Sequence, residues 1–147
     1  MRDYMAVERD LQTFLSENGM EENPKVQAAE MKQFEAARAF TQTRKSHPEL
    51  KELYAENDRL QSKMIQAKID GNDDEYDAVM EQFKQVRSEL ESISRQLPEI
   101  QEAQKELQRI ADEQTEIIAS VVEGVNAEGK KLAERYRELH EQFKDMR

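Results

Sequence analysis

The chain has 147 residues and a net charge of −10, with 37% hydrophobic and 37% charged residues and no cysteine or tryptophan. That balance excludes a large apolar core, a disulfide framework and a thiolate metal site, and it argues against a basic footprint for nucleic acid or an anionic membrane. The apolar residues nevertheless recur periodically, which a disordered chain has no reason to do, so the composition reads as long thin helices that leave most of their circumference in water.

Residues 1–17 read as a short amphipathic helix, with Tyr4, Val7, Leu11 and Phe14 on one stripe and Leu15 beside it. Asn18-Gly19 is a helix stop, because both residues tolerate the left-handed conformation of a C-terminus. A polar linker follows, and with the first helix it makes an N-terminal segment over 1–22. Asn23-Pro24 then starts a second helix over 24–44, with Asn as the cap and Pro in the first turn, where its missing amide is not needed. Val26, Ala29, Ala36, Ala37 and Phe40 form its apolar side, widened by Met31 and Phe34. Ser46-His47-Pro48-Glu49 has the spacing of a capping box and opens a third helix over 47–69. Leu50, Leu53, Asn57, Leu60, Met64 and Ala67 follow at heptad-like spacing, and Asn57 is a polar residue on that seam. Asp70-Gly71-Asn72-Asp73 makes a tight turn, with Asn72 and Glu75 as a second capping box. The third and fourth helices should therefore form an antiparallel hairpin.

The most regular stretch is 72–122. Tyr76, Val79, Phe83, Val86, Leu90, Ile93, Leu97 and Ile100 alternate at spacings of three and four, and the phase continues through Gln104, Leu107, Ala111, Gln114, Ile118 and Val121. Ala103, Ile110 and Ile117 lie in a second row. Pro98 lacks an amide donor and clashes with the preceding turn, so either the chain breaks near Leu97 and folds back, or one long helix continues through a kink. The unbroken heptad phase favours the kink. Gly124 and Asn126 punctuate the end, and a last helix over 127–146 carries Leu132, Tyr136, Leu139, Phe143 and Met146. The expected fold is all-α: one domain over 1–147, an elongated antiparallel helical bundle with coiled-coil-like heptad seams. Its core hairpin and long Pro-kinked helix span 24–122.

Side chains for catalysis are scarce. The histidines are His47, at a helix start, and His140, beside an apolar stripe. Bundle di-metal sites need Glu-x-x-His pairs, and Arg44 and Arg137 stand three residues before these histidines. Carboxylate pairs such as Glu102 with Glu106 and Asp112 with Glu116 read as solvated helix faces, as does the run from Lys130 to Arg137. The four glycines are isolated, so there is no phosphate-cradling loop. No enzyme activity, metal or cofactor is expected. Residues 1–15 hold no apolar run like that of a signal segment, and no stretch reaches the ~18 apolar residues of a membrane span, so a cytoplasmic location is expected.

The aromatic residues Tyr54, Tyr76, Phe83, Tyr136 and Phe143 read as core. The candidates for function are surfaces. Asn57, Gln104 and Gln114 are polar on apolar seams, which reads either as a wet, partly exposed seam or as a device that sets oligomer register or a partner's identity. The arm over 98–122 has the widest apolar face, and Leu107, Ile110, Gln114, Ile117, Ile118 and Val121 are its candidate oligomer or partner contacts. Thin helices gain buried surface by association, so a dimer or higher homo-oligomer is expected, without direct nucleic-acid or membrane binding.

Between about Met31 and Val122 the chain resembles the YlbF/YmcA family of small bacterial helical proteins. The likeness rests on Phe34-Glu35-Ala36-Ala37-Arg38-Ala39-Phe40 before a polar break, His47-Pro48-Glu49-Leu50 opening a helix, and the turn near Gly71. It is completed by Leu97-Pro98-Glu99-Ile100-Gln101-Glu102-Ala103, which leads to Leu107 and Ile117-Ile118. The resemblance implies an all-helical, oligomeric, non-enzymatic regulator that works through protein contacts in complexes linked to RNA processing and development. Some members carry a cysteine-bearing tail associated with an iron–sulfur cluster; this chain has no cysteine, which excludes that cluster. The alternative expectation is a coiled-coil chaperone or scaffold.

Overall fold

The computed structural model describes residues 2–144 and consists of six helices: α1 Arg2–Glu17, α2 Pro24–Ser46, α3 Lys51–Ile69, α4 Asp73–Gln96, α5 Pro98–Glu123 and α6 Ala127–Phe143. The fold is all-α, with no strand among the described residues. Met146, placed on the last heptad stripe, lies outside them.

Local chemistry sets most of the boundaries. Gly19 and Gly71 adopt left-handed φ values of 65° and 70°. Met20 N–H donates to the Leu15 carbonyl and Asn72 N–H to the Ala67 carbonyl, each at 2.9 Å, so both helices close with the same six-to-one bond. Three asparagines cap the helices that follow. Asn23 Oδ1 accepts from the Lys25 and Val26 amides at 2.9 and 3.3 Å, Asn72 Oδ1 from Glu75 N at 3.1 Å, and Asn126 Oδ1 from Gly129 N at 2.8 Å.

Two expectations are corrected. The capping box at Ser46 does not form. Thr41, Thr43 and Ser46 donate their hydroxyls back to the carbonyls of Ala37, Ala39 and Gln42, and α2 runs on to Ser46. The Ser46 oxygen is thereby committed to its own helix. His47 serves the turn instead: its Nδ1 accepts from Glu49 N at 3.2 Å, and α3 begins only at Lys51. At Pro98 the helix breaks and does not kink. Leu97 is extended, with φ −89° and ψ 116°, as the residue before proline prefers, and Pro98 becomes the first residue of a new helix. The heptad phase survives the break, since Leu97 and Ile100 are both buried. Continuity of a stripe therefore did not require continuity of the helix.

The contacts of the chain, read from sequence as one domain, cluster into two compact units: Met1–Ala36 with Gln108–Arg147, and Ala37–Leu107. The first packs α1 on α6 with the start of α2 and the end of α5. Its core holds Tyr4, Val7, Leu11, Phe14, Leu15, Val26, Ala29, Ile118, Ala119, Val122, Ala133 and Tyr136. The second is built on the α3–α4 hairpin. Leu50, Leu90, Leu97 and Ile100 form its buried centre, and Phe40, Leu53, Tyr54, Val86 and Ile93 pack around them. Burying one such leucine or isoleucine contributes about 1.5–3 kcal/mol. A core of this size therefore tolerates few truncations.

Candidate functional site

The fold distributes the candidate contacts unevenly. Ile118 is 1% exposed and belongs to the first unit's core, against which Val121 packs half-buried. Gln114 is also buried, and its Oε1 has no hydrogen-bond partner among the described residues. Ile110 is half-buried, and Ile117 faces water at 37% exposure. Leu107 is half-buried in the second unit. Of the other polar seam residues, Asn57 is buried with an unpartnered Oδ1, whereas Gln104 is exposed. An orphaned buried amide oxygen costs about 1–3 kcal/mol, so Asn57 and Gln114 hold their seams below the stability that apolar residues would give.

Several large apolar side chains stand outside both cores. Phe34 is 64% exposed and Met31 56%, which corrects their placement on the apolar side of α2. That helix meets its neighbours through buried Val26 and Ala29 and half-buried Gln33, Ala36, Phe40 and Arg44. Ile65 and Ile69 project from α3 and Met5 from α1.

Two grooves flank α5 in the first unit. One, of about 980 Å³, is lined from α1, α2 and α5 and mixes Met5, Leu11 and Ile118 with Arg2, Arg9, Glu8 and Asp112. Gln33 lines it and ties α2 to α5, donating from Nε2 to the Ala111 carbonyl at 3.2 Å and to Thr115 Oγ1 at 3.0 Å. The other, of about 490 Å³, lies between α2 and α5 and is lined by Lys25, Ala28, Ala29, Lys32, Gln114, Ile117, Ser120 and Val121.

Polar ties within the first unit join elements far apart in sequence. The Tyr4 hydroxyl lies 2.9 Å from His140 Nδ1 and 3.4 Å from the Tyr136 hydroxyl, and the Tyr136 and His140 rings stack at 5.7 Å. Burial raises the Tyr136 phenol well above its ordinary range, reinforced by the bond to Tyr4 and by the nearby Asp112 and Glu8 carboxylates. Arg137, read as part of a solvated run, clamps α6 to α5. Its Nε donates to Glu116 at 2.8 Å, Nη1 to Glu123 at 2.6 Å and Nη2 to Ser120 at 3.3 Å. Those two carboxylates hold its guanidinium charged, above its usual range. In the second unit His47 Nε2 approaches Glu99 Oε2 at 3.6 Å. Among the described residues no three His, Cys, Asp or Glu side chains converge as metal ligands, and no helix is long and apolar enough to cross a membrane.

No protein-family model, curated protein or solved structure matches the chain.

Proposed function

We propose that this is a non-enzymatic, cytoplasmic regulatory or adaptor protein of the YlbF type, which acts as an oligomer through protein contacts. The observation that carries the reading is the set of large apolar side chains left in water. Phe34, Met31, Ile65, Ile69 and Ile117 are each 37–73% exposed in a chain that has few apolar residues to spare. A helical fold that places isoleucine and phenylalanine outward, while spending alanine and glutamine inward, is arranged for contacts beyond its own core.

Affinity capture from native cells tests this reading. Wild-type chain is expected to retain specific proteins that a Phe34→Glu/Met31→Glu variant releases at least tenfold. Both residues are exposed, so the variant keeps its fold, checked by far-UV circular dichroism. Equal retention by the two chains, or nothing retained above background, would sink the proposal.

A further inference from the structure

The α2–α5 groove is a place of unusual charge. Lys25 and Lys32 line it, seven residues and so about 10.5 Å apart along α2. Neither has an ion-pair partner among the described residues, and no carboxylate lines the groove, in a chain of net charge −10. Between the lysines stand Ala28 and Ala29, small enough for a neighbouring backbone to approach, and Ile117 contributes apolar surface from α5.

The tip of the α3–α4 hairpin carries the matching set. Ile65 and Ile69 are four residues apart on α3, hence on one stripe, and are 56% and 73% exposed. From Ile65 to Asp77 there are five carboxylates, Asp70, Asp73, Asp74, Glu75 and Asp77, against one lysine, Lys68. One surface is an apolar groove bordered by unpaired cations; the other is an apolar ridge bordered by anions.

We propose that the hairpin tip of one copy docks in the α2–α5 groove of a second copy. Ile65 and Ile69 lie against Ile117 and the alanines, and the carboxylates around Gly71 face Lys25 and Lys32. A contact of the groove with itself would set four lysines together, so opposite charge favours the tip. The two surfaces differ, which makes the contact heterologous. It adds copies until a ring closes, and does not stop at a two-fold dimer. This deepens the oligomer reading above and rests on it.

Two variants test the contact by complementation. Lys25→Glu/Lys32→Glu breaks the groove and leaves the tip; both positions are exposed, and an acid at 25, in the first turn of α2, suits the helix dipole, so folding is kept. Ile69→Glu breaks the tip and leaves the groove, at a position already in water. In sedimentation equilibrium each variant alone is expected at the mass of one chain. Mixed, they form a one-to-one pair of twice that mass and nothing larger, because one good groove meets one good tip. The pair should weaken several-fold as salt rises from 0.05 to 0.5 M. Variants that keep the wild-type mass distribution, or a mixture that stays at one chain, would overturn the contact. A wild-type chain that is monomeric yet captures cellular proteins through Phe34 would overturn it too, while leaving the adaptor reading in place.

Discussion

Replacing Gly129 with alanine is expected to destabilise the unit of Met1–Ala36 and Gln108–Arg147 by about 2–3 kcal/mol. The sign runs against helix propensity, since alanine is the better helix former by about 1 kcal/mol. Packing decides it. A Cβ at Gly129 would overlap the Val122 carbonyl oxygen and stand 2.9 Å from Phe14 Cζ. The oxygen is backbone and has little freedom to yield, so even a shift of the Phe14 ring would not relieve the overlap. The start of α6 would have to move away from the end of α5, and the Asn126 cap on the Gly129 amide would go with it. A thermal melt followed by circular dichroism should show a midpoint lower by about 10 °C or more. Gly124→Ala is the control: its added Cβ meets nothing closer than 3.6 Å, and the melt should hold or rise slightly. A Gly129→Ala chain that melts with the wild type would refute the close approach.

Leu50→Ala is expected to cost the second unit about 2–5 kcal/mol. Leu50 is 0% exposed at the head of α3, where it packs in one cluster with buried Leu90, Leu97 and Ile100. The extended residue at Leu97 and the proline after it hold the chain in a fixed path there, so the surrounding backbone has little room to collapse into the void. Native-state hydrogen exchange should lose protection throughout α3 and α4, by two to three orders of magnitude at the slowest amides. Gln61→Ala, at an exposed position on the same helix, should change protection by less than about 0.5 kcal/mol. Equal effects from the two substitutions would mean that Leu50 does not anchor this core.

What was legible in the sequence followed from local rules. The asparagine caps, the glycine stops and the three-four spacing act over one or two turns, so the helices could be placed from residues that touch each other along the chain, with α4 and α5 read as one kinked element. The stripe through Tyr76, Val79, Phe83, Val86 and Leu90 is buried or half-buried throughout, as its period requires. The failures came where a local rule had a competitor. The Ser46 hydroxyl had a carbonyl of its own helix to bind, and Leu97 could keep its place on the stripe without being helical.

The candidate site was less legible, because it depends on which faces of the helices meet. Nothing local distinguishes Ile118, which enters the core, from Ile117, which stays in water. Phe34 reads as core until α2 is seen to meet its neighbours through Val26, Ala29, Gln33, Ala36 and Phe40. The Tyr4–His140 bond and the Arg137 clamp join positions many turns apart and carry no short-range signal. Gly129 did carry one: a glycine inside an otherwise regular helical pattern costs about 1 kcal/mol and asks for a packing reason.

The molar mass of the wild-type chain in solution, by light scattering over a hundredfold range of concentration, tests most directly the claim that this protein works as an oligomer. The expected result is a mass above the 17.2 kDa of one chain that rises with concentration. A mass fixed at 17.2 kDa across the whole range would contradict it.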